Sequence, residues 1–322
     1  MRILVTGGAG FIGSNLVSAL LQNDRITEVV VLDNLATGAM ENLEEFLAHP
    51  GFRFVEGDIR NYDDCLKACA GIDGISHQAA LGSVPRSIND PLTTNEVNIT
   101  GTLNIFNAAK ESKVKRLVYA ASSSTYGDHP GLPKKEDLIG KPLSPYAVTK
   151  YVNELYAKVY ADVYGMELIG LRYFNIFGPK QNPEGPYAAV IPLFIEAIIQ
   201  DKPPVINGDG SHSRDFTFVD NAVQANLLAL FTDNKEALNQ VYNIAVGEQT
   251  TLAELFEHLK KDAGSSLKPI FGPERKGDVK HSLADISKAK ELLGYDPGVT
   301  VKEGLKRTFE WYMKFRGLEF RV

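Results

Sequence analysis

The sequence predicts an α/β protein: a doubly wound parallel sheet followed by a smaller, mostly helical C-terminal substrate lobe. Short apolar, β-branched runs (RILVTG, EVVVLD, FRFVEGD, GISHQAA and RLVYAAS) alternate with longer helical patterns such as SNLVSALLQ and LNIFNAAKES. Runs that are apolar throughout belong to strands buried on both faces, the habit of parallel sheets covered by helices. After MELIGLRYFN the pattern loosens into the Pro- and Gly-rich FGPKQNPEGPY, and the later TLAELFEHLKKDA and VKEGLKRTFEWYMKF are again helical. Residues 1–174 are therefore assigned to the sheet domain, with segments near 216–247 returning to it. Residues 175–215 and 248–322 are assigned to a lobe over the carboxyl ends of the strands, where open α/β sheets bind ligands.

A chain of 322 residues, 44% of them hydrophobic, can build one large core or two lobes that share a cleft. Lys and Arg number 34 against 40 Asp and Glu, a formal charge of -6. That balance argues against general attraction to nucleic acid or anionic membranes, so any phosphate must be held locally. Cys65 and Cys69 stand in a C-x-x-x-C spacing that fits one face of a helix, and neither a metal site nor a disulfide framework is expected. The stretch MRILVTGG is too short for a signal h-region and no apolar run approaches a membrane span, so a cytoplasmic location is expected.

The stretch TGGAGFIGSN sets Gly7, Gly10 and Gly13 between the first strand and a helix beginning near Phe11. Asp33 ends the second strand twenty residues beyond Gly13. Missing side chains let a backbone approach a pyrophosphate, whose charge a helix N-terminus favours; the acid accepts from the ribose hydroxyls. This is the Rossmann pattern, and Asp33 would repel a 2′-phosphate, so the cofactor expected is NAD rather than NADP. Phe11 and Ile12 in the turn, and Asn34, Ala36, Thr37 and Gly38 behind the acid, are assigned to the same cofactor. Asp58 and Ile59 follow the third strand, where they can meet the adenine; a helix N-cap at Asp58 is the competing assignment. Gln78, Ala79 and Ala80 end the fourth strand beneath the cofactor. His77, inside an apolar run, is read as structural.

In SPYAVTK, Ser144 is expected as N-cap and Pro145 as the first helical residue, which places Tyr146 and Lys150 on one helix face. A phenol near pKa ~10 is a poor base, but an ammonium and a positive nicotinamide beside it favour the phenolate. Such a tyrosine can take a proton from a sugar hydroxyl while hydride leaves the same carbon.

Taken together, TGGAGFIG, SSSTYG and SPYAVTK resemble the extended short-chain dehydrogenase/reductase family over essentially the whole chain, and within it the nucleotide-sugar 4-epimerases. The resemblance implies a catalytic serine four residues before the Tyr-Gly pair, here Ser122, with Ser123 and Ser124 lining the sugar side. It implies that Lys150 also bonds the nicotinamide ribose and that Tyr173 lies near the ring. It assigns the substrate diphosphate to Asn175, Arg214 and Arg275, the nucleotide ribose to Asp278, and backbone contacts at the uracil end to the AAVIP stretch, with Ala189 and Val190. Ser83 in LGSVPRS is expected near the sugar, and Arg86 near the substrate or its own loop. Related dehydratases and decarboxylases carry an acid in the serine segment, and SSSTYG has none. Epimerases restricted to plain UDP-hexoses carry a bulky tyrosine where this chain has Ser282, so room for an acetamido group is expected. The segments AASSSTYGDHPGLPK and GLRYFNIFG are similar to bacterial epimerases that prefer N-acetylated sugars in surface-polysaccharide synthesis. A 4-epimerase of UDP-N-acetylglucosamine and its galacto epimer is thus the expected activity, with a dehydratase or decarboxylase, or a non-catalytic NAD(H) sensor, as rivals. The helices at 102–112 and 145–164 have apolar residues spaced for more than one buried face; in relatives they pair across a two-fold axis, which implies a homodimer through a four-helix bundle, and burial within a monomer is the competing source of the same pattern.

Overall fold

The computed structural model of the chain describes residues 1–184, 188–273 and 280–318. Arg275 and Asp278 lie outside the described residues. Strands β1 (Arg2–Thr6), β2 (Glu28–Asp33), β3 (Phe52–Glu56), β4 (Gly74–His77), β5 (Arg116–Ser122) and β6 (Glu167–Tyr173) alternate with helices. These are α1 (Phe11–Leu21), α2 (Tyr62–Cys69), α3 (Val84–Asn89), α4 (Pro91–Asn95), α5 (Thr102–Glu111) and α6 (Pro145–Tyr164). Beyond them come the short strands β7 (Ile176–Phe177), β8 (Val205–Asn207), β9 (Ser213–Arg214), β10 (Thr217–Phe218), β11 (Val241–Ile244), β12 (Thr250–Thr251) and β13 (Ile270–Gly272). The later helices are α7 (Val190–Ile199), α8 (Val219–Phe231), α9 (Leu252–Asp262), α10 (Ser287–Leu293) and α11 (Val301–Phe315).

The central sheet has seven strands in the order β11-β6-β5-β4-β1-β2-β3, and every neighbouring pair is parallel. Side chains leave a strand alternately to its two faces. Ile3, Val5, Val29 and Val31 pack with α1 and α8 in one cluster, while Leu4, Val30, Leu32, Ile75 and Leu117 pack with α2, α5 and α6 in the other. Each such fully buried side chain contributes about 1.5–3 kcal/mol. The edge strand β3 departs from the expected apolar run: Arg53 and Glu56 face solvent, and Arg53 pairs with Glu28 at 3.0 Å. The strand order reverses between β1 and β4, which opens a crevice at the carboxyl ends of the strands.

A second group of elements comprises α7, α9 and α11 with the two-stranded ladders β12-β9 and β13-β8, while α10 packs on β11 and α8. Asp215 knits this group to the sheet. Its fully buried carboxylate accepts from the backbone N–H groups of Val246, Gly247 and Ala284, and burial pushes its pKa up to about 7.

Inside the sheet, His77 is held between Thr6 Oγ1 at 2.7 Å and Thr102 Oγ1 at 3.0 Å, the setting of a core histidine. Burial, helped by the nearby Lys150 charge, pulls its pKa from 6.5 to about 3. A folded-state value below the unfolded one means the stability this residue contributes is present above pH 6.5 and is lost as pH falls toward 3. Between pH 7 and 5 this costs about 2 kcal/mol. Urea midpoints of His77→Gln should therefore fall less steeply on acidification than those of the wild type; identical slopes would contradict a neutral buried imidazole.

Candidate active site

The crevice begins at the glycine turn. Gly7 has φ +70, the left-handed region that favours glycine. A Cβ there would lie 2.7 Å from the Ala79 backbone, and one on Gly13 would lie 2.1 Å from the Gly7 carbonyl oxygen. Helix α1 starts from Gly10 with no side-chain cap and no acid in its first turn, so its N-terminus is available to an anion. Asp33 is buried, its Oδ2 accepting from Ala9 N at 2.9 Å and its Oδ1 from Leu35 N at 2.8 Å. Burial raises its pKa against those two bonds. Each oxygen keeps a second lone pair for a ribose diol. The segment behind it folds back over the turn, with Ala39 N and the Asn42 amide both donating to the Ala9 carbonyl. A Cβ at Gly38 would strike that same carbonyl group.

Asp58 does not cap a helix, which corrects one of the two assignments open for it. Asn61 caps α2, accepting from Asp63 N at 3.0 Å. Asp58 instead accepts from the Asn34 amide at 2.9 Å and pairs with Arg60 at 2.7 Å, and that guanidinium holds its carboxyl down to about 2.

Beneath the middle of the crevice, the Gln78 amide donates to Ser76 Oγ at 2.9 Å and to Asn226 Oδ1 at 3.0 Å. The Tyr173 hydroxyl donates to Gln78 Oε1 at 3.1 Å and accepts from Asn226 Nδ2 at 2.7 Å. Burial pushes that phenol up to about 12, so Tyr173 is a fixed neutral group. The loop above is anchored by Asn98 from a π-helical turn at Glu96–Gly101. Its side chain bonds Leu81 N at 2.8 Å, Leu81 O at 3.0 Å and Thr149 Oγ1 at 3.1 Å.

At the far end, β5 delivers Ser122, whose Oγ accepts from Ser124 N at 3.1 Å. Ser144 caps α6 by accepting from Ala147 N at 3.1 Å, and Pro145 is the first helical residue. Tyr146 and Lys150 then face the sheet one turn apart. Lys150 is 4% exposed and donates from Nζ to the Ala120 carbonyl at 2.9 Å. Burial draws its pKa down to about 8, opposed by the Glu154 charge. Burial raises the Tyr146 phenol, and the neighbouring Ser122 hydroxyl opposes that rise. The phenol becomes a base once positive charge is brought beside it.

One cavity of about 610 Å³ runs from the glycine turn and Asp33 to Ser83, the Ser122–Ser124 run, Tyr146 and Asn175. Every residue assigned to the cofactor lines it except Gly38, which packs behind it. Ser83 reaches it through a strained φ of +90 as N-cap of α3. The remaining described substrate candidates are not among the residues that line it. Ala189 and Val190 form the start of α7. Arg214 donates to the Ser213 and Lys280 carbonyls, both at 3.0 Å, and Ser282 N donates to Ser213 O at 3.1 Å. Sequence reasoning missed the wall formed by Leu81, Gly82, Thr93, Val97, Ala120 and Ala121. The two alanines sit directly before Ser122, and their position at a strand's end was the available signal. Nothing local marked Asn98 or Asn226, whose partners are distant in sequence.

The model of the NAD dependent epimerase/dehydratase family matches residues 3–245. The UDP-glucose 4-epimerase of Mycolicibacterium smegmatis is 38% identical over 314 residues, 97% of this chain and 98% of that protein. The structure of the UDP-N-acetylglucosamine 4-epimerase from Methanobrevibacter ruminantium, in complex with UDP-N-acetylmuramic acid, superposes with a TM-score of 0.92 at 40% identity over 98% of both chains. The UDP-glucuronic acid 4-epimerase from Bacillus cereus, with UDP-glucuronic acid and NAD, gives 0.91 at 35% identity over 98% of this chain and 100% of that one. With a glycine cradle that a single Cβ would fill, an acid behind it and this extent of likeness, the chain belongs to the NAD dependent epimerase/dehydratase family and its cofactor is NAD.

Proposed function

We propose that this UDP-sugar 4-epimerase acts on N-acetylated substrates, interconverting UDP-N-acetylglucosamine and UDP-N-acetylgalactosamine and also turning over the plain hexoses. The observation that carries the catalytic assignment is that Ser122, Tyr146 and buried Lys150 line one stretch of the same cavity, the last two one turn apart on one helix. Bound NAD supplies the hydride acceptor at the sugar's C4 and the donor for its return. Tyr146 takes the proton of the 4-hydroxyl, and Ser122 shares that hydrogen bond and relays the proton. The Lys150 ammonium favours the phenolate and would also hold the nicotinamide ribose of bound NAD. The 4-keto sugar would turn over within the site, and Tyr146 would then return the proton to its 4-oxygen, with no net oxidation. Asn175, Arg214, Arg275 and Asp278 are the proposed holders of the nucleotide diphosphate, with Ala189 and Val190 at the uracil end.

The N-acetyl preference rests on Ser282, whose small side chain leaves room at the sugar's 2-position, and on the likeness to a UDP-N-acetylglucosamine 4-epimerase. A dehydratase reading is disfavoured because Ser122–Tyr126 offers hydroxyls and no carboxylate, and a cofactor sensor has no use for Tyr146 and Lys150. Service in polysaccharide synthesis and a cytoplasmic location complete this reading.

The proposed homodimer is supported by the outer stripe of α6. Leu155 and Val159 are each 50% exposed and Val163 65%, flanked by exposed Val148, Tyr156 and Tyr164. The α5 pattern is accounted for within the monomer, where Ile105, Phe106, Ala108 and Ala109 are all buried. A second α6 with its neighbouring helix would cover the stripe.

Purified protein given UDP-N-acetylglucosamine and no added cofactor should produce UDP-N-acetylgalactosamine by NMR, and Tyr146→Phe should lose about 10³-fold in kcat. A deoxy-keto or pentose product, or an active Tyr146→Phe, would overturn the assignment. Ser282→Tyr should suppress turnover of N-acetylated substrates at least ~10-fold more than that of plain ones; an unchanged ratio would refute the role of Ser282. The double substitution Leu155→Glu, Val159→Glu should convert a dimer to a monomer in sedimentation, and a wild-type monomer would end the dimer proposal.

A further inference from the structure

The reaction as described uses two side chains of α6, yet the same stripe of that helix buries a third ionisable one. Glu154 lies one turn beyond Lys150 and two beyond Tyr146. Its carboxylate accepts two hydrogen bonds from Arg172, at 2.9 and 2.7 Å, with the two side chains 6% and 4% exposed. The Thr125 hydroxyl donates to the same carboxylate at 3.5 Å. Arg172 sits on β6, donates to the Glu136 carbonyl at 2.9 Å and lays its guanidinium 4.8 Å from the centre of the Tyr126 ring. Tyr126 is pinned in turn, donating to Asn243 Oδ1 at 2.6 Å. Thr125 and Tyr126 end the short turn that starts at Ser123, immediately after Ser122.

A buried ion pair is a poor route to stability. Desolvation costs several kcal/mol per ion, and apolar replacements of similar volume often serve as well. This pair nonetheless spans the three elements whose relative placement sets the site: the helix of Tyr146 and Lys150, the turn behind Ser122, and the strand that ends in Tyr173. We propose that Glu154 and Arg172 form a positioning unit for the reaction, locking the serine turn to the tyrosine helix and holding a negative charge beside the Lys150 ammonium. The inference rests on the roles proposed above for Ser122, Tyr146 and Lys150.

Among the described residues, few ionisable groups face the stretch of α6 that holds Lys150 and Glu154. From its own helix come Tyr146 and Glu154, from β4 the neutral His77, from β5 Tyr119, and from β6 Arg172 and Tyr173. Burial keeps the phenols of Tyr119 and Tyr173 protonated, so Glu154 and Arg172 supply the charges. Deleting the carboxylate removes the charge that opposes the burial of the ammonium and makes its proton easier to lose. Deleting the guanidinium leaves the carboxylate unbalanced and holds that proton more firmly.

The test is the pH dependence of kcat/KM with UDP-N-acetylglucosamine, or with UDP-glucose should that be the better substrate. Glu154→Gln should move the alkaline limb to lower pH by ~0.5 unit or more and lower kcat ~10-fold or more, with KM within ~3-fold of wild type. Arg172→Met should move the limb to higher pH, and Glu154→Asp should bring it back toward the wild-type position. The double variant Glu154→Leu, Arg172→Met guards against misfolding, since an apolar pair should melt near the wild type and still show low kcat and an acid-shifted limb. A double variant with wild-type kcat and profile, or single variants that lose melting temperature with both limbs unmoved, would overturn the proposal. Tyr146→Phe assayed alongside separates the two levels: if it is inactive while the limbs stay put, only the positioning unit is wrong; if it is active, the assignment of the site itself is wrong.

Discussion

The chemistry of this fold hangs on the register of one helix against one strand. Helix α6 lies on β5 so that Lys150 reaches the Ala120 carbonyl while Tyr146 meets Ser122 at the strand's end. A slip of one residue would rotate both side chains by about 100° and carry them off the crevice. The start of the helix is set by the Ser144 cap and Pro145, and its end by Gly165 in the left-handed region at φ +67. Between them the buried Glu154–Arg172 pair and the Asn98–Thr149 bond fasten its middle.

The two ends of the cavity are built on opposite principles. At the cofactor end the working feature is missing atoms: Gly7 and Gly13 let the turn close on Ala79 and on itself, and the helix N-terminus is left without a competing acid. At the sugar end the working feature is the presence of polar atoms carried by β5, α6 and the Ser83 loop. Such groups are costly to bury unless paired, and the network of Ser76, Gln78, Asn226 and Tyr173 shows how the cost is met, each amide or hydroxyl finding a partner beneath the crevice. A satisfied network of this kind is rigid, which suits a site that must return a hydride to the carbon it came from.

Much of this was legible before any coordinates. The glycine turn, Asp33, and the Ser144-Pro145 start of α6 are local signals, because capping, left-handed backbone and helix spacing act within a few residues. The reading of Asp58 as a cap failed since Asn61 three residues on caps better, and the choice between two polar residues so close in sequence depends on where β3 releases the chain. The pattern of α5 was ambiguous for a related reason: apolar spacing says that a face is buried and not what buries it.

The sequence by itself determined the alternation of strands and helices, the phosphate-binding turn and the pairing of Tyr146 with Lys150 on one helix face, since each follows from periodicity or spacing along a short segment. Only the tertiary structure decided that Ser122 comes beside Tyr146, that Asn98 and Asn226 hold the loop and floor, that Glu154 finds Arg172, and that Arg214 and Ser282 come together around Ser213. Those contacts join segments tens of residues apart, and their partners are chosen by how sheet, helices and lobe pack together.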